Sequence, residues 1–333
     1  MQECVKFSIV MPAYNAEATI KKSIVSVLDQ SYSNWELIIV DDGSVDNTKD
    51  IINEFSKNNR KIKYYKQNNA GPGAARNLGM NLCEGDYIAF LDSDDYFDKD
   101  YLKCVYQECN KSDVDVVFTD RIYEDATGRV IGKTDIWKYR HFDKDFVLKC
   151  QMTGKIPWGV GKVFKTELYK RASGFTTLQV GEESIFSFDI VYNAKTISFV
   201  EKPILHVLRT LEGQHSKGND DPWYPVVKVL CNHLIELGIY ETYKKEINSF
   251  AMRSLSIAIY RNSLNVPYSI AITRFKNLLN KYLNDFELDS INSKVVEKSD
   301  IIIYFCLKHK IYFLLYGASR YRENKKIRKR KND

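Results

Sequence analysis

Residues 85–95 read GDYIAFLDSDD: a Gly-Asp pair, five apolar residues, then three carboxylates within four positions. A short apolar run stopped by polar residues is the pattern of a strand buried on both faces, as parallel strands in α/β sheets are. Asp92, Asp94 and Asp95 therefore fall at a strand end, where neighbouring carboxylates repel unless positive charge lies between them. An oxygen-only set suits a hard divalent ion, Mg²⁺ or Mn²⁺, of the kind shared with substrate phosphates. A solvated strand-to-helix turn uses the same residues, so this segment alone leaves both possibilities standing.

The flanking sequence repeats the pattern. Phe7 to Met11 is an apolar run ending at Pro12, and Ala16 to Gln30 places Ile20, Ile24, Val27 and Leu28 at helical spacing. Trp35 to Val40 is strand-like and stops at Asp41-Asp42-Gly43-Ser44, with Asp46 placed to cap a helix that carries Ile51, Ile52 and Phe55. Ile62 to Tyr65 predicts a third strand, and Gly73 to Cys83 a helix following a Gly-Pro-Gly turn. Val114 to Thr119 predicts a fifth strand after the Tyr87–Leu91 run. Strands alternating with helices of this length predict an α/β fold with a mostly parallel, Rossmann-like sheet and right-handed crossovers. Ligands of such sheets bind beyond the carboxyl ends of the strands. Pro12-Ala13-Tyr14-Asn15, Asp41-Asp42 and Asp92-Ser93-Asp94-Asp95 all sit at such ends, and three polar clusters together mark a site.

Composition narrows the class. The 333 residues are 44% apolar and 13% aromatic, with 16 Gly and 7 Pro, which excludes collagen-like and disordered chains. No window approaches the ~18 apolar residues of a spanning helix, and Met1-Gln2-Glu3-Cys4 lacks the basic start of a secretory signal. The seven cysteines are odd in number and scattered without a CxxC, so reduced thiols in a cytoplasmic protein are expected. The net charge of +6 is uneven: residues 317–333 hold eight basic against two acidic residues, and the first 316 balance to zero. A neutral body with a polybasic end points to an anionic surface met by the tail and away from nucleic acid.

Residues 120–215 are less regular, with a hairpin signal at Ala126-Thr127-Gly128. From about Asp220 the apolar spacing becomes helical, as in Val226, Val229, Leu230, His233 and Leu234. A boundary is expected near Gly218–Pro222, giving an α/β domain over 1–218 and a helical region over 219–333. Ala70-Gly71-Pro72-Gly73-Ala74-Ala75-Arg76-Asn77 invites a phosphate-loop reading, but no Lys-Ser/Thr follows its glycines, and the first turn holds no GxGxxG. Both negatives favour a nucleotide held through base, ribose and a metal-bridged diphosphate.

Six stretches in order resemble an inverting family 2 glycosyltransferase of the GT-A fold, of the kind that builds bacterial surface polysaccharides. They are SIVMPAYNAEATIKKSIVSVLDQSY (8–32), ELIIVDDGSVDNT (36–48), NNAGPGAARNLGM (68–80), GDYIAFLDSDD (85–95), WGVGKVFKTELY (158–169) and GEESIF (181–186). The resemblance implies that Pro12, Ala13 and Tyr14 line a nucleobase pocket and that Asp42 accepts from uracil N3–H. It implies a DxD motif in which Asp94 and Asp92 hold Mn²⁺ or Mg²⁺, with Ser93 and Arg76 beside the donor. The base falls at Glu183, paired with Glu182 where the family has Glu-Asp, so either carboxylate remains a candidate. Arg209 and His215 in HVLRTLEGQHS (206–216) resemble the loop that closes over the diphosphate. The implied reaction moves a sugar from a UDP-sugar to a hydroxyl of a glycan acceptor such as a polyprenyl-diphosphate oligosaccharide. Trp158 could stack on that acceptor or be an ordinary core residue.

Toward the C-terminus, Ile301–Phe305 and Ile311–Tyr316 flank Lys308-His309-Lys310 ahead of the basic tail. Apolar groups entering a headgroup boundary beside cations describe a peripheral segment on the inner face of the cell membrane, and a core helix with a solvated tail is the alternative. A nucleotidyltransferase or a degenerate, membrane-docked assembly subunit would share parts of this pattern. The former needs a Lys-bearing glycine loop after the first strand, where Pro12-Ala13-Tyr14-Asn15 stands. Self-association is left open by the sequence.

Overall fold

Strand β1 (Phe7–Ala13) and strand β2 (Trp35–Asp41) are buried at every position, which is why both read as continuous apolar runs. Within β2 the alternation sorts residues between two cores. Leu37 and Ile39 join the larger core with Ile9, Met11, Ile20 and Ile24. Ile38 and Val40 face the other side, against Ala75. A sheet covered on both faces is the outcome expected of parallel strands joined by helical crossovers. The structure is a computed structural model and describes residues 5–159, 161–178, 180–209 and 220–332.

In chain order, α1 (Ile20–Leu28) follows β1, and β2 is followed by α2 (Thr48–Asn58), β3 (Ile62–Lys66), α3 (Pro72–Asn81) and β4 (Tyr87–Phe90). Next come β5 (Tyr96–Phe97), α4 (Tyr101–Lys111), β6 (Val116–Glu124), β7 (Val130–Lys133), α5 (Lys144–Met152), β8 (Lys162–Lys165), α6 (Thr166–Tyr169), α7 (Ser184–Asn193) and β9 (Ile197–Leu208). The strand order is β3-β2-β1-β4-β8-β6-β9-β5, with β7 hairpinned to β6. Strands β3, β2, β1 and β4 are parallel, and so are β6 and β9. β8 runs antiparallel between β4 and β6, and β5 antiparallel to β9. The sheet is therefore mixed though parallel-dominant.

The strand expected at Val114–Thr119 begins at Val116 and continues to Glu124, because the polar residues Asp120 and Arg121 still pair with β9 and, like Thr119, are buried. The hairpin signal at 126–128 is the β6–β7 turn, where Asp125 accepts from the backbone of Thr127 and Arg129. The helix cap expected at Asp46 falls one residue later, at Asn47, while the Asp46 carboxylate accepts from the backbone N–H of Thr48 at 3.0 Å.

The chain divides into two compact units. The first holds the described residues of 5–148, 157–177 and 182–209, including the whole sheet; the second holds those of 149–156, 178–181 and 220–332. The second unit contains α8 (Tyr224–Glu236), α9 (Tyr240–Asn262), α10 (Tyr268–Asp285), α11 (Lys298–Lys308) and α12 (Tyr312–Asn332). Its core is built around α9, whose Ile247, Phe250, Leu255 and Ile259 are buried together with Leu230, Leu234 and Phe275. The boundary expected at residues 218–219 lies outside the described residues. No helix among the described residues is long and apolar enough to cross a membrane.

Helix α3 lies directly on β1 at Gly79. A Cβ there would overlap Val10 Cγ1 and stand 3.4 Å from Val40 Cγ2. The gain in helix propensity from Gly to Ala is about 1 kcal/mol, while overpacking a core costs about 1–3 kcal/mol. Gly79→Ala should therefore lower stability, read as a reduced urea midpoint; a raised midpoint would show that the helix can back away from the sheet freely.

Candidate active site

The first station sits where β1 and β2 end. Asp42 N–H donates to the Ala13 carbonyl at 2.8 Å, fixing the aspartate against the β1 terminus. The Asp42 carboxylate accepts from Gln67 Nε2 at 2.7 Å and from the backbone N–H of Ala70 and Gly71, both at 2.8 Å. Pro12 and Ala13 are buried, whereas Tyr14 is 51% exposed. Asp41 turns elsewhere, accepting from Ser44 N–H at 2.8 Å and from Tyr64 Oη at 2.9 Å. Burial and the Asp41 charge together push the Tyr64 phenol above its ordinary value. Asn15, with φ +46°, latches the two loops: its N–H donates to Ser44 Oγ and its Oδ1 accepts from Val45 N–H.

The second station is organised by α3. Arg76 is buried, with Nη2 donating to Asp92 Oδ1 at 2.7 Å and Nη1 to Glu182 Oε1 at 3.1 Å. Burial alone would lower the guanidinium pKa, but Asp92 and Glu182 outweigh it and hold the group above its ordinary value. The next residue, Asn77, clamps Phe175 through both its backbone N–H (3.0 Å) and its carbonyl (3.2 Å). Gly73 permits that approach, because a Cβ on it would lie 3.0 Å from the Thr176 carbonyl and 3.1 Å from Phe175 Cβ. The Thr176 N–H then donates to the Glu182 carbonyl at 2.9 Å, so segments 175–176 and 182 are docked on one helix.

Beside Asp92 lie Asp94, exposed, and Asp95, 3% exposed; one oxygen of each of the three falls within 4.8 Å of the others. Burial, then the charges of Asp92 and Asp94, drive the Asp95 carboxyl well above the usual carboxylate range, although its Oδ1 accepts from Leu208 N–H. Three hard oxygen donors held this close, one of them pressed toward protonation by the others, fit a divalent cation. Ser93 contributes structure through its carbonyl, which accepts from Ser23 Oγ at 2.9 Å.

Glu182 and Glu183 lie at the start of α7. Glu182 is committed to Arg76, while burial first, then the adjacent Glu182, push the Glu183 carboxyl up to about 7. A carboxylate with that affinity for protons is suited to proton transfer near neutrality. Trp158 is 4% exposed, which agrees with a core residue and not with an open stacking platform. Arg209 is exposed and lies over the Tyr123 ring at 4.7 Å; no hydrogen bond or ion pair to the carboxylates is formed by it among the described residues. His215 lies outside the described residues. Asn77 and Gln67 carry site geometry that the sequence did not single out. Their signal was only an amide next to a residue already flagged, in RN and in QNNAG.

The pattern of the family described as Glycosyl transferase family 2 matches residues 8–171. The putative glycosyltransferase EpsH of Bacillus subtilis is 28% identical over 261 residues, 76% of each chain. The poly(ribitol-phosphate) beta-N-acetylglucosaminyltransferase TarS of Staphylococcus aureus is 25% identical over 252 residues, which are 73% of this chain and 43% of that protein. The crystal structure of S. aureus TarS 1-349 in complex with UDP-GlcNAc superposes with TM-score 0.69 at 21% identity, covering 96% of this chain and 92% of that one. That likeness establishes the GT-A fold, a Rossmann-like sheet followed by helices. Residues 8–171 carry the pattern of glycosyltransferase family 2, and the chain is similar to glycosyltransferases over about three quarters of its length.

Proposed function

We propose that the protein transfers a sugar from a UDP-sugar to a hydroxyl of a glycan acceptor, inverting the anomeric centre, in the synthesis of a bacterial surface polysaccharide. The reading rests on α3: its leading turn binds Asp42 while its Arg76 binds both Asp92 and Glu182. A base-recognition residue, a candidate cation cluster and a candidate base thus share one rigid support. The surface-polysaccharide context draws on the named relatives, TarS among them. We assign the chemistry to residues 1–218 and a supporting, membrane-facing role to 219–333.

Asp42 has used three of its roughly four acceptor positions, which leaves one for the N3–H of a pyrimidine above Pro12, Ala13 and Tyr14. Asp94 and Asp92, with Asp95 behind them, would hold Mn²⁺ or Mg²⁺, which when bound neutralises charge on the departing diphosphate. Ser93 and Arg76 keep the Asp92 carboxylate in place, and Arg209 and His215 would add positive charge over the phosphates. Glu183 takes the proton of the acceptor hydroxyl as its oxygen attacks the anomeric carbon. A new C–O bond forms on one face as the bond to the diphosphate oxygen breaks on the other, and UDP leaves with the electron pair. A single displacement inverts the configuration.

A second element of the proposal concerns location. On α11 and α12, Ile302, Phe305, Phe313 and Leu314 are all more than half exposed, and eight basic residues follow from residue 317 onward. Each cation near an anionic bilayer contributes about 1 kcal/mol, so the tail and the apolar groups together suffice for peripheral binding. The acceptor then is lipid-linked, as a polyprenyl-diphosphate glycan on the inner leaflet would be.

Kinetics, calorimetry and vesicle flotation test these readings. Glu183→Gln should lower turnover by about 10²–10⁴-fold with UDP affinity retained, whereas Asp94→Ala should weaken metal-dependent UDP binding in calorimetry. Since Glu183 works deprotonated, kcat/KM should fall on the acid side with a midpoint near the Glu183 value of about 7. Full activity in Glu183→Gln, or unchanged UDP binding with metal in Asp94→Ala, contradicts the mechanism. In flotation assays the full chain should bind phosphatidylglycerol vesicles and not phosphatidylcholine ones, and Phe305→Glu with Phe313→Glu should abolish the binding. Flotation of that double variant would refute the docking face.

A further inference from the structure

Lys162 opens β8 and is 7% exposed, a buried amino group that the reaction above does not use. Its Nζ donates to three successive carbonyls, those of Pro157 (3.2 Å), Trp158 and Gly159 (3.2 Å). Three acceptors consume all three N–H groups that an ammonium has, and a neutral amine would leave one carbonyl unmet. The same Trp158 carbonyl also accepts from Ser187 Oγ at 2.5 Å. Ser187 stands one turn into α7, where its N–H donates to the Glu183 carbonyl at 2.8 Å. Gly159 lies against the Glu183 carboxyl, since a Cβ on it would fall 3.5 Å from Oε1. Turn 157–159 is thus stapled twice, once by Lys162 and once by the helix that bears Glu183.

We infer that Lys162 is a positioning residue for sugar transfer: it fixes the 157–159 turn as the wall behind Glu183 and supplies a buried counter-charge to that carboxylate. The inference rests on the assignment of Glu183 as base. An apolar residue would fill the same volume but leave the Pro157 and Gly159 carbonyls without this donor and the Trp158 carbonyl with Ser187 alone, and a buried cation is costly unless paired. The charged groups facing Glu183 are Glu182, Arg76 and Lys162; those facing Lys162 are Arg121 and Glu183. Burial, with help from Arg121, pulls the lysine well below its ordinary value, and Glu183 pulls it back. The two groups therefore favour each other's ionised forms.

The test compares Lys162→Met and Lys162→Arg with the parent enzyme, reading kcat against pH together with the affinity for UDP. Lys162→Met should lose about 10–100-fold in plateau kcat, the scale of a misplaced catalytic group, and its acid limb should move to higher pH. UDP affinity should stay within about twofold, because Asp42 and its supports are untouched. Lys162→Arg keeps the charge and should keep the parent's limb while losing part of kcat. A folded Lys162→Met with the parent's limb and kcat overturns the inference, and an inactive Glu183→Gln beside it shows that the base assignment still stands. Should Lys162→Met fail to fold, Ser187→Ala decides: lowered kcat with UDP affinity intact supports the stapled wall, and unchanged kcat overturns it.

Discussion

One buried guanidinium makes the site possible. Asp92, Asp94, Asp95, Glu182 and Glu183 concentrate negative charge in the first unit, and Arg76 is the cation hydrogen-bonded to two of them. Asp92 is sixteen residues away in sequence and Glu182 more than a hundred, so the guanidinium also joins two distant parts of the chain. Removing one partner from a buried ion pair costs about 3–5 kcal/mol, since the remaining charges lose their compensation. Loss of Arg76 would leave Asp92 and Glu182 both uncompensated. Bidentate geometry is what arginine offers and lysine does not.

The helix that carries Arg76 is shaped for the task. Its small residues let it press against β1 on one side and against Phe175 and Thr176 on another. The turn before it offers two backbone N–H groups to Asp42. Asn77 then clamps Phe175, whose ring lies 5.3 Å from the Arg76 guanidinium. A helix this closely packed has few alternative positions, so a nucleotide base and the sugar to be transferred would meet groups already in place.

Much of this was legible in the residue pattern. Runs such as FSIVMPA and WELIIVD announce strands buried on both faces, and the polar clusters at their ends announce where a ligand would bind. The parts that were not legible depend on pairing between distant segments. β8 enters antiparallel between β4 and β6, and two-residue β5 is a strand only because β9 lies beside it. Single-residue roles were equally hidden. Asp41 and Asp42 are neighbours in sequence, yet one serves Tyr64 and Ser44 while the other receives Gln67 and the α3 turn. Likewise Glu182 is drawn to Arg76, leaving Glu183 as the carboxyl pushed toward neutrality by burial. Lys162 carries no signal of its own in the sequence because its partners are backbone carbonyls, which no side-chain motif displays.

In the proposed reaction one nucleotide spans the two stations that α3 joins. A crystal structure with UDP and Mn²⁺ tests it most directly. The expected complex has the uracil N3–H on Asp42, the cation on Asp92 and Asp94, and Arg76 still bridging Asp92 to Glu182. A uracil lying away from Asp42, or a cation bound elsewhere than the aspartate cluster, would contradict it.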